Sequence, residues 1–165
     1  MSWIRKWKTS ERNYTWRRTE RACNRLAKSC TEYQPTLIVG LSRGGLIPAV
    51  MLANLLNIRH VYSLGLASYT VNDNGVVVTD EHDVYQPIPL ECRGLTSTDN
   101  VLIVDDISDQ GNTLNRAQQL LMEQHSVKSK TCTLVVKPGT SHLPNFYFET
   151  VAQDKWVNFP WEKVA

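Results

Sequence analysis

Four short apolar runs separated by segments of helix length restrict this chain more than any other feature. The runs are TLIVGL (36–41), HVYSLGLASY (60–69), NVLIVDD (100–106) and TCTLVVK (131–137). GGLIPAVMLANLLN (44–57) follows a glycine turn and reads as a mostly buried helix, and TLNRAQQLLMEQHS (113–126) places its apolar residues at helical spacing. Ahead of the first run, Thr15 is positioned to cap a helix whose inner face carries Trp16, Ala22, Cys23, Leu26, Ala27 and Cys30. Strands alternating with helices imply an α/β fold, a mostly parallel central sheet covered by helices on both faces. Ligands of such sheets sit beyond the carboxyl ends of the strands. No repeat or long linker interrupts the pattern, and 165 residues at 42% apolar content are enough for one ordinary core, so residues 1–165 read as a single domain.

Composition excludes several classes of function. No apolar run approaches the roughly 18 residues of a membrane span, and the charged N-terminus has no apolar signal region behind it, so a cytoplasmic protein is expected. Cys23, Cys30, Cys92 and Cys132 lie far apart without zinc-site spacing, which points to reduced, mostly buried thiols. Charge is uneven: residues 1–30 hold nine Lys/Arg against Glu11 and Glu20, whereas the remainder holds nine against fourteen acids. The basic end includes Trp3, Trp7 and Trp16 and could meet nucleic acid, but tryptophans packed on the core or on a sister subunit are the commoner arrangement, and nucleic acid is not the expected partner.

The chemistry concentrates in VLIVDDISDQGNTL (101–114). Asp105 and Asp106 fall where the third apolar run ends, and Asp109, Gly111 and Thr113 lie in the turn that follows, at the ligand edge. A helix beginning near Thr113 would aim the amides of residues 110–113 and its positive dipole end into that turn, a site suited to phosphate. Adjacent carboxylates repel unless a cation or several hydroxyls lie between them, and Mg²⁺ with a polyol meets both needs. A phosphorylated sugar with bound metal is the ligand these residues suggest.

This segment resembles the fingerprint of the type I phosphoribosyltransferases: a strand, two acids, two variable positions, Asp, then a Thr/Gly-rich turn. Further stretches are similar, in matching order, to the bacterial xanthine-guanine and hypoxanthine phosphoribosyltransferases: YTW at 14–16, VGLSRGGLIPAVMLANLLNIRHV, SY at 68–69, VVKPG and QDKWVNFPW. The resemblance implies the type I fold, with a small C-terminal hood from residues 138–165 and a flexible lid within 70–99. It also implies transfer of 5-phosphoribosyl from phosphoribosyl pyrophosphate to guanine, hypoxanthine or xanthine in purine salvage, with Mg²⁺ as cofactor and a homo-oligomer, dimer or tetramer, as the assembly.

On that basis the loop Ser42, Arg43, Gly44 and Gly45 is the candidate pyrophosphate site, Arg43 supplying a cationic fork and the glycines close backbone approach. A cis peptide is expected between Leu41 and Ser42. Gln110, Gly111, Asn112 and Thr113 would take the 5-phosphate, Asp105 and Asp106 the ribose hydroxyls and the metal. Asp109 is the candidate catalytic proton carrier. Lys137, Trp156, Val157 and Asn158 are the candidate base site, Lys137 donating to the oxygen on carbon 6. Three departures from the subgroup stand out: DQGNT replaces the more usual DTGGT, the expected lid carries six acids against Arg93, and Asn158 stands where an acid is common. Two alternatives remain: a non-catalytic regulator of the same fold that senses phosphoribosyl pyrophosphate or nucleotide, and an aspartyl phosphatase, which the absence of an Asp-x-Asp-x-Thr pattern disfavours.

Overall fold

The computed structural model describes residues 11–72, 75–88 and 95–162; Trp3, Trp7, Cys92 and Arg93 lie outside the described residues, as does part of the segment expected to form a lid. The order is β1 (Glu11–Asn13), α1 (Trp16–Cys30), a 3-10 turn (Thr31–Tyr33), β2 (Leu37–Ser42), α2 (Leu46–Leu56), β3 (His60–Asn72), β4 (Gly75–Gln86), β5 (Val101–Ser108), α3 (Asn112–His125), β6 (Ser129–Val136), β7 (Phe146–Thr150) and β8 (Trp156–Asn158). Six strands form one sheet in the order β4-β3-β2-β5-β6-β7, and β1 pairs with β8 in a separate parallel ribbon. Every pair in the large sheet is parallel except β3 with β4.

Side-chain alternation decides which helix covers which face. Ile38, Leu102 and Val104 belong to a core with Ala22, Cys23 and Leu26 of α1 and Ala49 and Leu52 of α2. Leu37, Val39, Leu41, Val101 and Ile103 turn the other way, into a second core with Leu114, Ala117 and Leu121 of α3. With both faces buried, the central strands read as unbroken apolar runs. Thr15 caps α1 as expected, its hydroxyl accepting from the Arg18 amide at 3.2 Å. Trp16 does not join the inner face: it is the first helical residue and remains 56% exposed, its ring 5.9 Å from that of Trp161.

Two regions differ from the sequence-based picture. The expected lid contributes a full strand, β4, paired antiparallel with β3 from Gly65↔Gln86 to Asn72↔Gly75, with irregularities between Gly65 and Leu66 and between Ala67 and Tyr69. The cause is legible in VNDNGVVV, where the two residues between Asn72 and Gly75 are Asp73 and Asn74, turn-forming types between two β-branched stretches. The C-terminal part, expected to form a hood, is shared: β7 extends the main sheet, while β8 pairs with β1 from the other end of the chain. No helix among the described residues is long and apolar enough to cross a membrane.

Candidate active site

The parallel strands bring the ends of β2, β5 and β6 to one edge. β5 runs two residues further than the apolar run, so Asp105 and Asp106 lie inside the strand, Asp105 opposite Thr133. Asp105 Oδ1 accepts from the Asp106 amide at 2.9 Å. Asp106 is only 8% exposed. Burial and then the neighbouring Glu162 carboxylate push it up to about 6, and burial with the charge of Asp106 pushes Asp105 well above the carboxylate range. Among the described residues neither forms an ion pair with Lys or Arg. Hard carboxylate oxygens held close together without a counter-charge are the donor set that Mg²⁺ takes. The indole of Trp161 stands beside Asp106 and acts against burial and the Glu162 charge, favouring the ionised carboxylate.

The loop after β2 is pressed against these acids. A Cβ on Gly44 would stand 1.8 Å from Asp106 Oδ2, and one on Gly45 would stand 2.4 Å from the Val104 carbonyl oxygen, so only glycine allows this approach. The Gly45 amide donates to the Leu41 carbonyl at 2.9 Å. The cis peptide joins Ser42 to Arg43, one bond later than expected, because β2 continues in register with β3 through Ser42 and the chain reverses only after it. Ser42 Oγ donates to Gln86 Oε1 at 3.2 Å, and Tyr85 Oη donates to the Ser42 carbonyl, which ties β4 to the loop. Arg43 projects, exposed, into an open cleft of about 1040 Å³ that Gly44, Asp106, Trp161 and Glu162 also line.

The turn after β5 ends in Gly111 at φ +87°, a conformation that favours glycine, and a Cβ there would meet Thr140 Oγ1 at 2.5 Å. The loop after β6 therefore packs directly on the turn. The Gln110 carbonyl accepts from the Ser141 amide at 2.8 Å and from Ser141 Oγ at 2.7 Å. α3 starts at Asn112, one residue before the expected Thr113, and no side chain caps it. Its N-terminal end faces the turn, as an anion site requires.

A second cavity of about 380 Å³ opens on the other side of Asp106 and Glu162 and is lined by Asp109, Lys137, Gln153, Trp156 and Val157. Since Asp106 and Glu162 border both cavities, the two meet at the acids. Trp156 is 64% exposed over this space, whereas Val157 is buried. Lys137, expected to donate to a base, is 4% exposed, and its ammonium donates to the carbonyls of Ala152 at 2.9 Å, Gln153 at 3.5 Å and Lys155. Asn158, read as part of the base site, donates instead to Glu11 Oε2 at 3.2 Å and Asn13 Oδ1 at 3.0 Å on β1, and it does not line the cavity.

One carboxylate ties the β1–α1 segment to β7. Glu149 on β7 accepts from Tyr14 Oη at 2.5 Å, from Arg18 Nε at 3.0 Å and from Arg12 Nη2 at 3.2 Å, and the Tyr14 amide donates to the Asn158 carbonyl at 2.8 Å. Glu162, Trp161 and Gln153 were not singled out from the sequence. Trp161 ends an FPW stretch and Glu162 follows it, far from the acid motif, and nothing local in the sequence marks them as neighbours of Asp106.

The sequence pattern of the phosphoribosyl transferase domain family matches residues 10–163. Over 148 residues the chain is 34% identical to a xanthine-guanine phosphoribosyltransferase of Chromohalobacter salexigens, covering 90% of this chain and 82% of that one. The crystal structure of a purine phosphoribosyltransferase from Pyrococcus horikoshii superposes with a TM-score of 0.79 at 32% identity, covering 94% and 96% of the two chains. A Neisseria gonorrhoeae protein solved with bound ppGpp superposes with a TM-score of 0.76 at 25% identity, covering 96% and 93%.

Proposed function

This chain belongs to the phosphoribosyltransferase family, and from that premise we propose that it transfers 5-phosphoribosyl from phosphoribosyl pyrophosphate to a ring nitrogen of a 6-oxopurine. The observation that carries the proposal is the junction of two unlike cavities at Asp106 and Glu162. One is bordered by a cationic, glycine-rich loop, the other by the flat indole of Trp156. A substrate pair that is anionic on one side and planar on the other fits such a space.

In the reaction the bond from the anomeric carbon to pyrophosphate breaks while the bond to the purine nitrogen forms, and the ribose ring develops oxocarbenium character. The chain must therefore hold anions at both ends of the sugar. Arg43 and the amides of Gly44 and Gly45 would bind the leaving pyrophosphate, and the turn 110–113 the 5-phosphate. Asp105 and Asp106 would hold the ribose hydroxyls and Mg²⁺, which supplies positive charge against the departing pyrophosphate. The purine sheds a proton as its nitrogen bonds to carbon, and Asp109, at the border of the second cavity, is the proposed acceptor. Trp156 would stack on the base. Lys137 fixes the backbone of residues 152–155 on the floor of that site.

The experiment is Arg43→Ala. It should raise KM for phosphoribosyl pyrophosphate on the order of 10-fold, as expected for loss of a charge-assisted hydrogen bond. Binding of the product monophosphate, which has no pyrophosphate, should stay near the wild-type value. Equal weakening of both ligands overturns the assignment of the loop.

A nucleotide-sensing regulator is the second reading, favoured by the ppGpp bound to the Neisseria protein. It requires binding without turnover, so formation of monophosphate from phosphoribosyl pyrophosphate and a purine base separates the two.

A further inference from the structure

Gln153 lies on the loop between β7 and β8, facing the turn that follows β5. Its side-chain amide joins two elements: Oε1 accepts from the Gly139 amide at 3.0 Å, and Nε2 donates to Asp109 Oδ1 at 2.8 Å. The first bond fixes the sense of the second. A backbone N–H can only donate, so the carbonyl end of the Gln153 amide must face Gly139 and the amino end must face Asp109. The loop itself is fixed from below by Lys137, which donates to the carbonyls of both Ala152 and Gln153.

Asp109 needs such a partner. It is exposed at the mouth of a turn, and among the described residues no other side chain hydrogen-bonds to it. An unrestrained carboxylate there would sample several staggered rotamers, only some of them productive. We propose that Gln153 is a positioning residue for catalysis, holding Asp109 by Oδ1 so that Oδ2 is presented to the purine nitrogen. This rests on Asp109 being the proton acceptor. The proton leaves the purine nitrogen for Oδ2 as the nitrogen–carbon bond forms and pyrophosphate departs, while Oδ1 keeps its hydrogen bond throughout. A neutral amide suits the task better than Lys or Arg. It orients the carboxylate without the full positive charge that would favour the ionised form and weaken it as a base.

Gly139 belongs to the same device, since a Cβ there would stand 3.0 Å from Gln153 Oε1 and would displace the amide by a few tenths of an ångström.

The test is a double-mutant cycle on the full chain, with guanine as acceptor, using wild type, Gln153→Met, Asp109→Ala and the double variant. Methionine keeps the length of the side chain and removes its donor. Gln153→Met should lower kcat roughly 10-fold, a fraction of the 10²- to 10⁴-fold that a general base supplies. KM for phosphoribosyl pyrophosphate should be unchanged, since Gln153 bonds Asp109 and Gly139 and lies outside the proposed phosphate-binding residues 42–45 and 110–113. In the Asp109→Ala background, Gln153→Met should cost nothing further. An equal loss of kcat in both backgrounds overturns the proposal, as does an unchanged kcat for Gln153→Met in the wild type. Gly139→Ala supplies a second variant that leaves Gln153 in place: it should lower kcat in the wild type and not in the Gln153→Met background, and additive losses count against the proposal. A wild-type kcat for Asp109→Ala is a distinct outcome that removes the proton-acceptor assignment itself.

Discussion

The backbone of Gly44 lies against the carboxylate of Asp106, so closely that a side chain on residue 44 would begin 1.8 Å from Oδ2. The loop after β2 and the acids of β5 are thus one unit, although more than 60 residues separate them in sequence. Gly44→Ala should force them apart. We expect loss of phosphoribosyl pyrophosphate use together with destabilisation of about 1–3 kcal/mol, the usual range for overpacking, read by steady-state kinetics and thermal denaturation. Wild-type kinetics would mean that the loop adjusts freely and that the fit between the two residues is irrelevant to activity.

Asp105→Asn and Asp106→Asn should separate function from stability. Each replaces a carboxyl whose ionised form is disfavoured in the fold and lacks a cationic partner among the described residues, and Asp106 also stands beside Glu162. Without ligand and Mg²⁺, Tm of each variant should equal or exceed that of the wild type, while turnover falls steeply. A lower Tm with normal turnover would make the acids structural.

Lys137 and Trp156 should fail in different ways. Lys137→Met leaves three backbone carbonyls of the 152–155 loop without their donor and should cost about 1–3 kcal/mol of stability, with weaker binding of every base. Trp156→Ala removes an exposed indole and should leave Tm unchanged, raising KM for all bases to a similar degree, in line with stacking worth about 1–3 kcal/mol. A selective rise in adenine use by Lys137→Met at unchanged stability would instead assign Lys137 to direct contact with carbon 6.

Glu149 sets a pH dependence. Burial tends to raise its carboxyl, but hydrogen bonds from Arg18 and Tyr14 and the charges of Arg18 and Arg12 outweigh this and hold it below the ordinary carboxylate range. Its folded pKa is depressed, so the unfolded chain binds the proton more readily. The stability it contributes is present above the unfolded pKa and is lost as pH falls through the folded one. Tm of the wild type should fall on acidification in that window, and Glu149→Gln should have a lower Tm at neutral pH with a flatter acid limb. Parallel curves for the two proteins would show that the junction of β1, α1 and β7 does not depend on this carboxylate.

The central strands were legible because burial on both faces leaves no polar residue to break runs such as LIVGL and VLIV. β4 lies within the segment expected to include a lid, and the Asp73-Asn74 pair between two β-branched stretches is the sequence signal of the strand pair β3–β4. β1 and β8 are three residues each and are defined by pairing across the whole chain, which no local pattern records. The acids of β5 were readable because adjacent Asp105 and Asp106 are costly without a ligand. The partners of Lys137 are backbone carbonyls, identical in every sequence, so its fixed role in the 152–155 loop could not be read. Glu162 and Gln153 reach the site only through the return of the chain from β7 to β8. Asn158 bonds Glu11 and Asn13 through its side-chain amide because β8 pairs with β1, a pairing that no local pattern records.

Conversion of base to nucleoside monophosphate tests the central claim most directly. The wild-type protein is incubated with phosphoribosyl pyrophosphate, Mg²⁺ and, in separate reactions, guanine, hypoxanthine, xanthine or adenine, and the monophosphate is quantified. The 6-oxopurines should be converted, guanine and hypoxanthine at least as well as xanthine, with adenine a poor substrate. Absence of monophosphate from every base, or preference for adenine, would contradict the proposed 6-oxopurine transfer.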